Sequence, residues 1–125
     1  MGIEKKQNDL SDRLFQFTID VIKYLRTIKS TEETRVLKYQ LTKSSSSSGA
    51  NYEEAQGSDT RADFNYKIAI SLKEMRESNY WLRIFKSLEL GNEDTSQKLV
   101  EESTELKNIL GSISSKVSRS LRKNK

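Results

Sequence analysis

The 125-residue chain contains no cysteine, no histidine and no proline, and it has only five glycines. Without cysteine the chain cannot form a disulfide, a thiolate metal site or a cysteine nucleophile. Without histidine it also lacks the most frequent general base and a frequent zinc ligand. Carboxylates, lysines and tyrosines remain available as catalytic groups. We nevertheless expect a protein that is not an enzyme, with no catalytic residues, no metal and no cofactor.

The sequence also lacks long apolar segments. No run approaches the roughly 20 residues that span a bilayer, and the charged start, residues 1–6, is not followed by the apolar core of a signal peptide. The absence of cysteine fits a reducing compartment. We therefore expect a cytoplasmic protein without a membrane partner.

A chain with few backbone breakers and many Lys, Glu, Leu and Arg residues favours long helices. Its length suits one domain, residues 1–125. Apolar residues recur every three or four positions, which is typical of helices with one buried face. The pattern predicts four helices, over residues 9–28, 31–56, 60–89 and 94–122.

Capping signals support these helix starts. Ser30 with Glu33, and Thr60 with Asp63, fit the pattern in which two residues cap each other's backbone. Asn92 or Asp94 can begin the last helix, and Gly57 can end the second.

The serine run at residues 44–48, followed by Gly49, permits two interpretations. By composition it is typical of a flexible linker. However, residues 50–56 are good or tolerable helix formers, and small side chains let two helices approach closely. The residues alone leave both interpretations open.

Three motifs carry a resemblance to a known family: S-x-G-A-N-x-x-E-A-Q-G at residues 47–57, A-D-F at 62–64 and L-K-E-x-x-E-x-x-Y-W-L at 72–82. The chain resembles the bacterial four-helix bundle proteins first noticed as products of intervening sequences in large-subunit ribosomal RNA genes. The resemblance implies an all-α, antiparallel up-down-up-down bundle in which the serine run is helical. One departure is Ser48, where the family has an apolar residue.

The resemblance also implies a homo-oligomer, a ring of five subunits. A related protein, the accessory protein of diversity-generating retroelements, binds nucleic acid and a reverse transcriptase through its positively charged ring. By resemblance, the partners expected here are further copies of the chain and RNA or DNA.

The net charge of +4 is distributed unevenly. Residues 1–50 carry a net charge of +3 and residues 51–110 a net charge of −4, whereas residues 111–125 hold five basic residues and no acid. A cationic end favours anionic partners, nucleic acid before an acidic membrane surface. The alternative is a solvated helix end that complements its own dipole.

Two groups of residues are candidates for sites. The predicted phosphate-contacting set contains cations that share helix faces, namely Arg13, Lys23, Arg26, Arg35, Lys38, Lys43, Arg119, Arg122 and Lys123. The second group would form a polar layer between helices two and three, namely Asn51, Glu54, Glu74, Arg76 and Glu77. Its carboxylates could instead hold a metal or act in acid–base chemistry, but we favour the structural interpretation.

These observations lead to two hypotheses about function. The first is a non-catalytic module that binds RNA or another nucleic acid through repeated phosphate contacts. The second is a protein-interaction scaffold without a nucleic-acid role, which the acidic middle segment supports.

Overall fold

The computed structural model describes residues 2–123, with side chains described for residues 9–119. It contains four helices, α1 (Gly2–Arg26), α2 (Glu32–Gln56), α3 (Arg61–Ser87) and α4 (Glu93–Lys123). Each helix packs on its neighbours in chain order, and α1 also packs on α4. This is the predicted up-down-up-down four-helix bundle. None of the helices in the described part is long and apolar enough to cross a membrane.

The helix bounds differ from the predicted ones most at α1, which was predicted over residues 9–28. The helix begins at Gly2, well before residue 9, because no proline interrupts the polar start of the chain. It ends at Arg26 because the next two amides bond three residues back, from Thr27 N to Tyr24 O and from Ile28 N to Leu25 O, both at 3.1 Å. Ile28 keeps the apolar period and is buried, although it lies outside the helix.

The core is formed by the apolar stripes that the periodicity predicts. Burial of one such side chain contributes about 1.5–3 kcal/mol to folding, so these stripes provide the main stabilisation of the bundle. The largest fully buried apolar side chains of the core are Leu14, Phe17, Val21, Leu41, Ile68, Met75, Leu82, Phe85, Leu106 and Leu110.

The serine run is helical and forms the contact between α2 and α3. Ser44 and Ser78 share a hydrogen bond of 2.8 Å between their hydroxyls. Ser48 Oγ donates to Ser71 O at 2.8 Å, and Ser71 Oγ donates to Ser48 O at 2.7 Å. All four side chains are buried, and each hydroxyl has the partner that a buried polar group requires. The linker interpretation is therefore wrong, and Ser48 is well accommodated at its apolar family position.

The start of α2 shows that the predicted capping pair was misplaced. The N-cap is Thr31, whose hydroxyl accepts from Thr34 N at 3.2 Å, while Thr34 Oγ1 accepts from Thr31 N at 2.7 Å. Ser30 instead accepts a bond of 3.1 Å from Lys38 Nζ. Two threonines thus perform the exchange expected of Ser30 and Glu33, because a hydroxyl at the third position can also reach the cap backbone.

The N-cap residues of the other two helices agree with the sequence, although only the Thr60 side chain, and not the reciprocal bond from Asp63, is found at α3. Thr60 Oγ1 accepts from Asp63 N at 3.1 Å at the start of α3. Asn92 Oδ1 accepts from Thr95 N at 2.9 Å at the start of α4, which decides between Asn92 and Asp94.

The turn between α3 and α4 is held against α1. Glu89 and Gly91 have left-handed backbones, with φ of 56° and 71°. Between them, Leu90 O accepts a hydrogen bond of 2.5 Å from Tyr24 Oη. A Cβ atom on Gly91 would lie 2.7 Å from Tyr24 Cε1 and 3.1 Å from Ile28 Cγ1. Glycine is therefore required here both for its backbone conformation and for the close approach of α1.

Candidate nucleic-acid interface

The predicted phosphate-contacting residues do not form one patch in the chain. Lys23, Arg26 and Arg35 are exposed near the α1–α2 turn, whereas Arg119 is exposed near the opposite end. At a rise of 1.5 Å per residue, Arg119 lies about 40 Å along α4 from the helix start. The side chains of Arg122 and Lys123 lie outside the described residues.

Arg13 forms ion pairs with two carboxylates of α4. Its Nη2 and Nε atoms contact the two oxygens of Glu102 at 2.6 and 3.2 Å, and Nη1 contacts Glu105 Oε1 at 3.2 Å. These bonds, the one to Glu102 foremost, raise the pKa of Arg13 above its ordinary value despite the opposing effect of burial. Arg13 therefore joins α1 to α4, and its charge is neutralised locally.

Lys38 also has partners within the bundle, whereas Lys43 is exposed. The Lys38 ammonium donates to the Ile28 carbonyl and to the Ser30 hydroxyl, and so fastens the α1–α2 turn. Lys43 lies close enough to Glu74 to favour its charged form.

The proposed polar layer between α2 and α3 divides into separate local contacts. Asn51 Nδ2 donates to Ser47 O at 2.8 Å within its own helix. Glu54 pairs with Lys67 at 3.4 Å, and Glu77 accepts a bond of 3.3 Å from Trp81 Nε1.

Glu74 is the carboxylate of this group that the bundle perturbs. Burial first, and the neighbouring Glu77 second, raise its pKa, while Lys73 and Lys43 act in the opposite direction. Among the side chains of residues 9–119, no three His, Cys, Asp or Glu residues are grouped to hold a metal ion.

Arg76 does not belong to this layer. It lies on the other side of α3, in a groove of about 520 Å³ between α3 and α4. We call this the α3–α4 groove, and its lining consists of Arg76, Asn79, Arg83, Lys107, Asn108 and Gly111. The groove thus has three cations and no carboxylate in its lining.

The sequence of α3 fixes the positions of two of these cations. Arg76 and Arg83 are seven residues apart, which places them two turns apart on one face. The buried Asn79 lies between them and donates to Ser103 Oγ at 2.9 Å and to Thr104 Oγ1 at 3.1 Å. Its oxygen accepts a bond of 3.1 Å from Arg83 Nε. Arg83 is therefore oriented through a side chain that α4 holds in place.

The bond to Asn79 uses only one of the five N–H donors of Arg83. Its guanidinium also lies over the Tyr80 ring, with Cζ 5.8 Å from the centroid. The ion pairs in the described part of the chain join Arg13 to Glu102 and Glu105, and Lys67 to Glu54. Arg76, Arg83 and Lys107 take part in none of them, so their charges remain available to an anion.

Gly111 forms part of one wall of the groove and has no side chain to fill it. A Cβ atom there would be 3.9 Å from Leu72 Cδ1, which is an ordinary contact. Packing therefore does not require this glycine, whose absent side chain instead leaves the groove open between the three cations.

The sequence prediction missed Arg83 and Lys107. A usable signal was the exposed face of α3 on which Arg76, Tyr80 and Arg83 follow one another at spacings of 4 and 3. Lys107 could not be found this way, because its place beside Arg76 depends on the packing of α4 on α3.

Comparisons with known proteins agree with the fold. The family model described as 23S rRNA-intervening sequence protein matches residues 6–112, which include the whole α3–α4 groove. The chain is also similar to a crystal structure of a protein of unknown function from the S23 ribosomal protein family of Bacteroides thetaiotaomicron VPI-5482. The two share 30% sequence identity and a TM-score of 0.76, over 84% of this chain and 97% of that chain. Among curated proteins there is no significant match.

Proposed function

The chain belongs to the family of 23S rRNA-intervening sequence proteins, and on that premise we propose that it binds nucleic acid, RNA foremost, through the α3–α4 groove. The proposed role is non-catalytic: the groove holds a strand and does not change it. The proposed compartment is the cytoplasm, in keeping with a chain that lacks cysteine.

The observation that carries this proposal is the group of three cations without a carboxylate. Arginine and lysine supply most protein contacts to phosphate, and each phosphate that they neutralise releases a counterion. The planar guanidinium of arginine also matches the geometry of phosphate oxygens. Arg76, Arg83 and Lys107 therefore offer an RNA backbone several contacts within one groove.

Asn79, which lies between the two arginines, offers little reading of bases. Asn79 is already bonded to Ser103, Thr104 and Arg83, so its amide is committed to the protein. Contacts of the three cations in the α3–α4 groove would thus position a strand without selecting a sequence, as phosphate contacts generally do.

A titration of RNA against the protein at several salt concentrations tests the proposal. For an oligonucleotide short enough to occupy one groove, with three phosphate contacts, the logarithm of affinity should fall against the logarithm of salt with a slope of about −2 to −3. Fluorescence anisotropy of a labelled oligonucleotide measures this slope. Absence of binding at low salt, or affinity that does not change with salt, would contradict the proposal.

We further propose that the chain acts as a homo-oligomer, a ring of five. An apolar groove of about 270 Å³ between α1 and α2 supports this; it includes Phe15, Ile19, Gly49 and Ala50. Phe15 is 68% exposed, and a large apolar side chain in that position is suited to a subunit contact. Repetition of the α3–α4 groove around a ring would raise the affinity for a long strand through multivalency.

The mass in solution tests the ring. Light scattering should give about five times the chain mass of 14.4 kDa, and Phe15→Glu should shift the protein toward smaller species because it places a charge in the contact. A monomer mass for the unaltered protein would contradict oligomerisation, and another multiple would contradict the ring of five.

A further inference from the structure

Tyr80 on α3 is an exposed aromatic residue beside the α3–α4 groove. It follows Arg76 by four positions and precedes Arg83 by three, so the three side chains share one face of the helix. Its side chain is 51% exposed. The two arginines stand outside the ion pairs of the described residues. Tyr80 is therefore placed to meet the ligand that these cations attract.

Two neighbours hold the Tyr80 ring. The Arg83 guanidinium lies over it, with Cζ 5.8 Å from the centroid. The Trp81 ring stands at 71° to it, with the two ring centroids 5.2 Å apart, which is a favourable arrangement of aromatic rings. Trp81 is itself fixed by the bond of 3.3 Å from its Nε1 atom to Glu77 Oε1. The Tyr80 ring is thus restrained in orientation while about half of its surface is open, so little conformational freedom is lost when a flat group packs on it.

A base of the strand held in the groove is the flat group that these surroundings favour. Arg76, Arg83 and Lys107 attract phosphate, and each nucleotide carries its base next to a phosphate. Unpaired bases stack on aromatic side chains, whereas the faces of paired bases are covered within a duplex. The planar guanidinium of arginine adds to such stacks. Arg83 lines the groove and also contacts Tyr80, so it joins the phosphate contacts to the exposed ring.

We propose that the α3–α4 groove takes single-stranded RNA, one unpaired base of which stacks on Tyr80; this inference rests on the function proposed above and adds the class of substrate. The phosphates contact the three cations, and the base that adjoins them packs on the exposed part of the ring. Every base has a face that can stack, so stacking tolerates any sequence. The groove therefore distinguishes single strands from duplexes without distinguishing one base from another.

Three short labelled probes of one length provide the direct test: a uridine single strand, an RNA duplex, and a strand whose nucleotides lack bases. A duplex carries more phosphates for its length than a single strand does, so a purely electrostatic groove would bind it at least as tightly. The strand without bases keeps the phosphates of the uridine strand. At one salt concentration the uridine strand should bind about tenfold more tightly than either, an effect typical of one stacked base.

The outcomes separate stacking from the proposed function. If the duplex or the strand without bases binds as tightly as the uridine strand, phosphate contacts alone account for binding. That result would overturn stacking on Tyr80 and leave the proposed function intact. Absence of binding by all three probes would instead contradict the proposed function.

Variants at Tyr80 connect the preference to this ring. Tyr80→Leu should remove the preference for the uridine strand and leave the slope of affinity against salt unchanged, because the phosphate contacts remain. Tyr80→Phe retains the ring without the hydroxyl, so it should keep the preference. Retention of the preference in Tyr80→Leu, or its loss in Tyr80→Phe, would overturn the proposal.

Tyr66→Leu is a matched control on the same helix. Tyr66 is also exposed, at 64%, but lies on an earlier part of α3 and outside the lining of the groove, so its replacement should leave the preference unchanged. Loss of the preference in this control as well would overturn the assignment to Tyr80. Light scattering should give the same mass for Tyr80→Leu as for the unaltered protein, and a smaller mass would assign Tyr80 to a subunit contact instead.

Discussion

Replacement of Gly91 by alanine should lower the free energy of unfolding by about 2–5 kcal/mol. Part of this loss comes from the backbone, because φ of 71° is left-handed and costs an L-residue about 1–2 kcal/mol. The rest comes from the new Cβ atom, which would lie 2.7 Å from Tyr24 Cε1. Tyr24 and Ile28 are both buried and cannot move aside freely. Urea unfolding followed by circular dichroism measures the change.

Glu89→Gly is the control for this substitution, since Glu89 has a similar backbone conformation without being glycine. It is exposed, so its side chain has little packing to lose. Relief of the left-handed strain should leave the stability unchanged or raise it by up to about 1 kcal/mol. An unfolding midpoint for Gly91→Ala equal to that of the unaltered protein would show that this turn does not need the described conformation.

Reversal of two charges in the α3–α4 groove should reduce RNA affinity on the order of 100-fold at low salt. The variant is Arg76→Glu with Lys107→Glu, which retains Arg83 and its bond to Asn79. With one groove cation left, the slope of affinity against salt should become shallower by about 1.5. Neither replaced residue takes part in an ion pair among the described residues, so the bundle should remain folded.

A second double variant separates the effect of the groove on RNA affinity from the effect of net charge. Arg26→Glu with Arg35→Glu makes the same change in net charge near the α1–α2 turn, at two exposed residues of the set predicted from the sequence. It should reduce affinity much less, through long-range electrostatics that salt screens. An equal loss in both variants would assign binding to overall charge, and a greater loss in the control would favour the set predicted from the sequence.

Periodicity alone was sufficient to predict the first, third and fourth helices, because each of their core stripes lies on a single helix and needs no knowledge of its neighbours. The serine run was different. Composition describes the type of a residue and not its depth, so Ser44 and Ser48 resembled a linker until the family motif favoured a helix. Their burial depends on Ser78 and Ser71 of α3, which lie 34 and 23 positions away.

The candidate site was less predictable for the same physical reason. Spacing shows which residues share a face of one helix, but not which helix covers that face. Arg76 was therefore grouped with Glu74 and Glu77, although it faces α4. Arg13 was predicted to contact phosphate. Its charge is in fact neutralised by Glu102 and Glu105, which lie 89 and 92 positions further along the chain. Roles in binding stay predictions for the exposed cations of that set, namely Lys23, Arg26, Arg35, Lys43 and Arg119.

The serine contacts between α2 and α3 also restrict how the sequence can change over time. In the pairs Ser44–Ser78 and Ser48–Ser71 each hydroxyl bonds to the partner residue, and all four side chains are buried. A larger residue at one position of a pair overfills the contact. Loss of the Ser44 or Ser78 hydroxyl also deprives the other of a bond, whereas Ser48 and Ser71 each donate to a backbone carbonyl that any residue retains. Single substitutions should therefore be disfavoured, whereas paired exchanges of one larger for one smaller residue keep the volume. Among relatives, the two positions of each pair should thus change together.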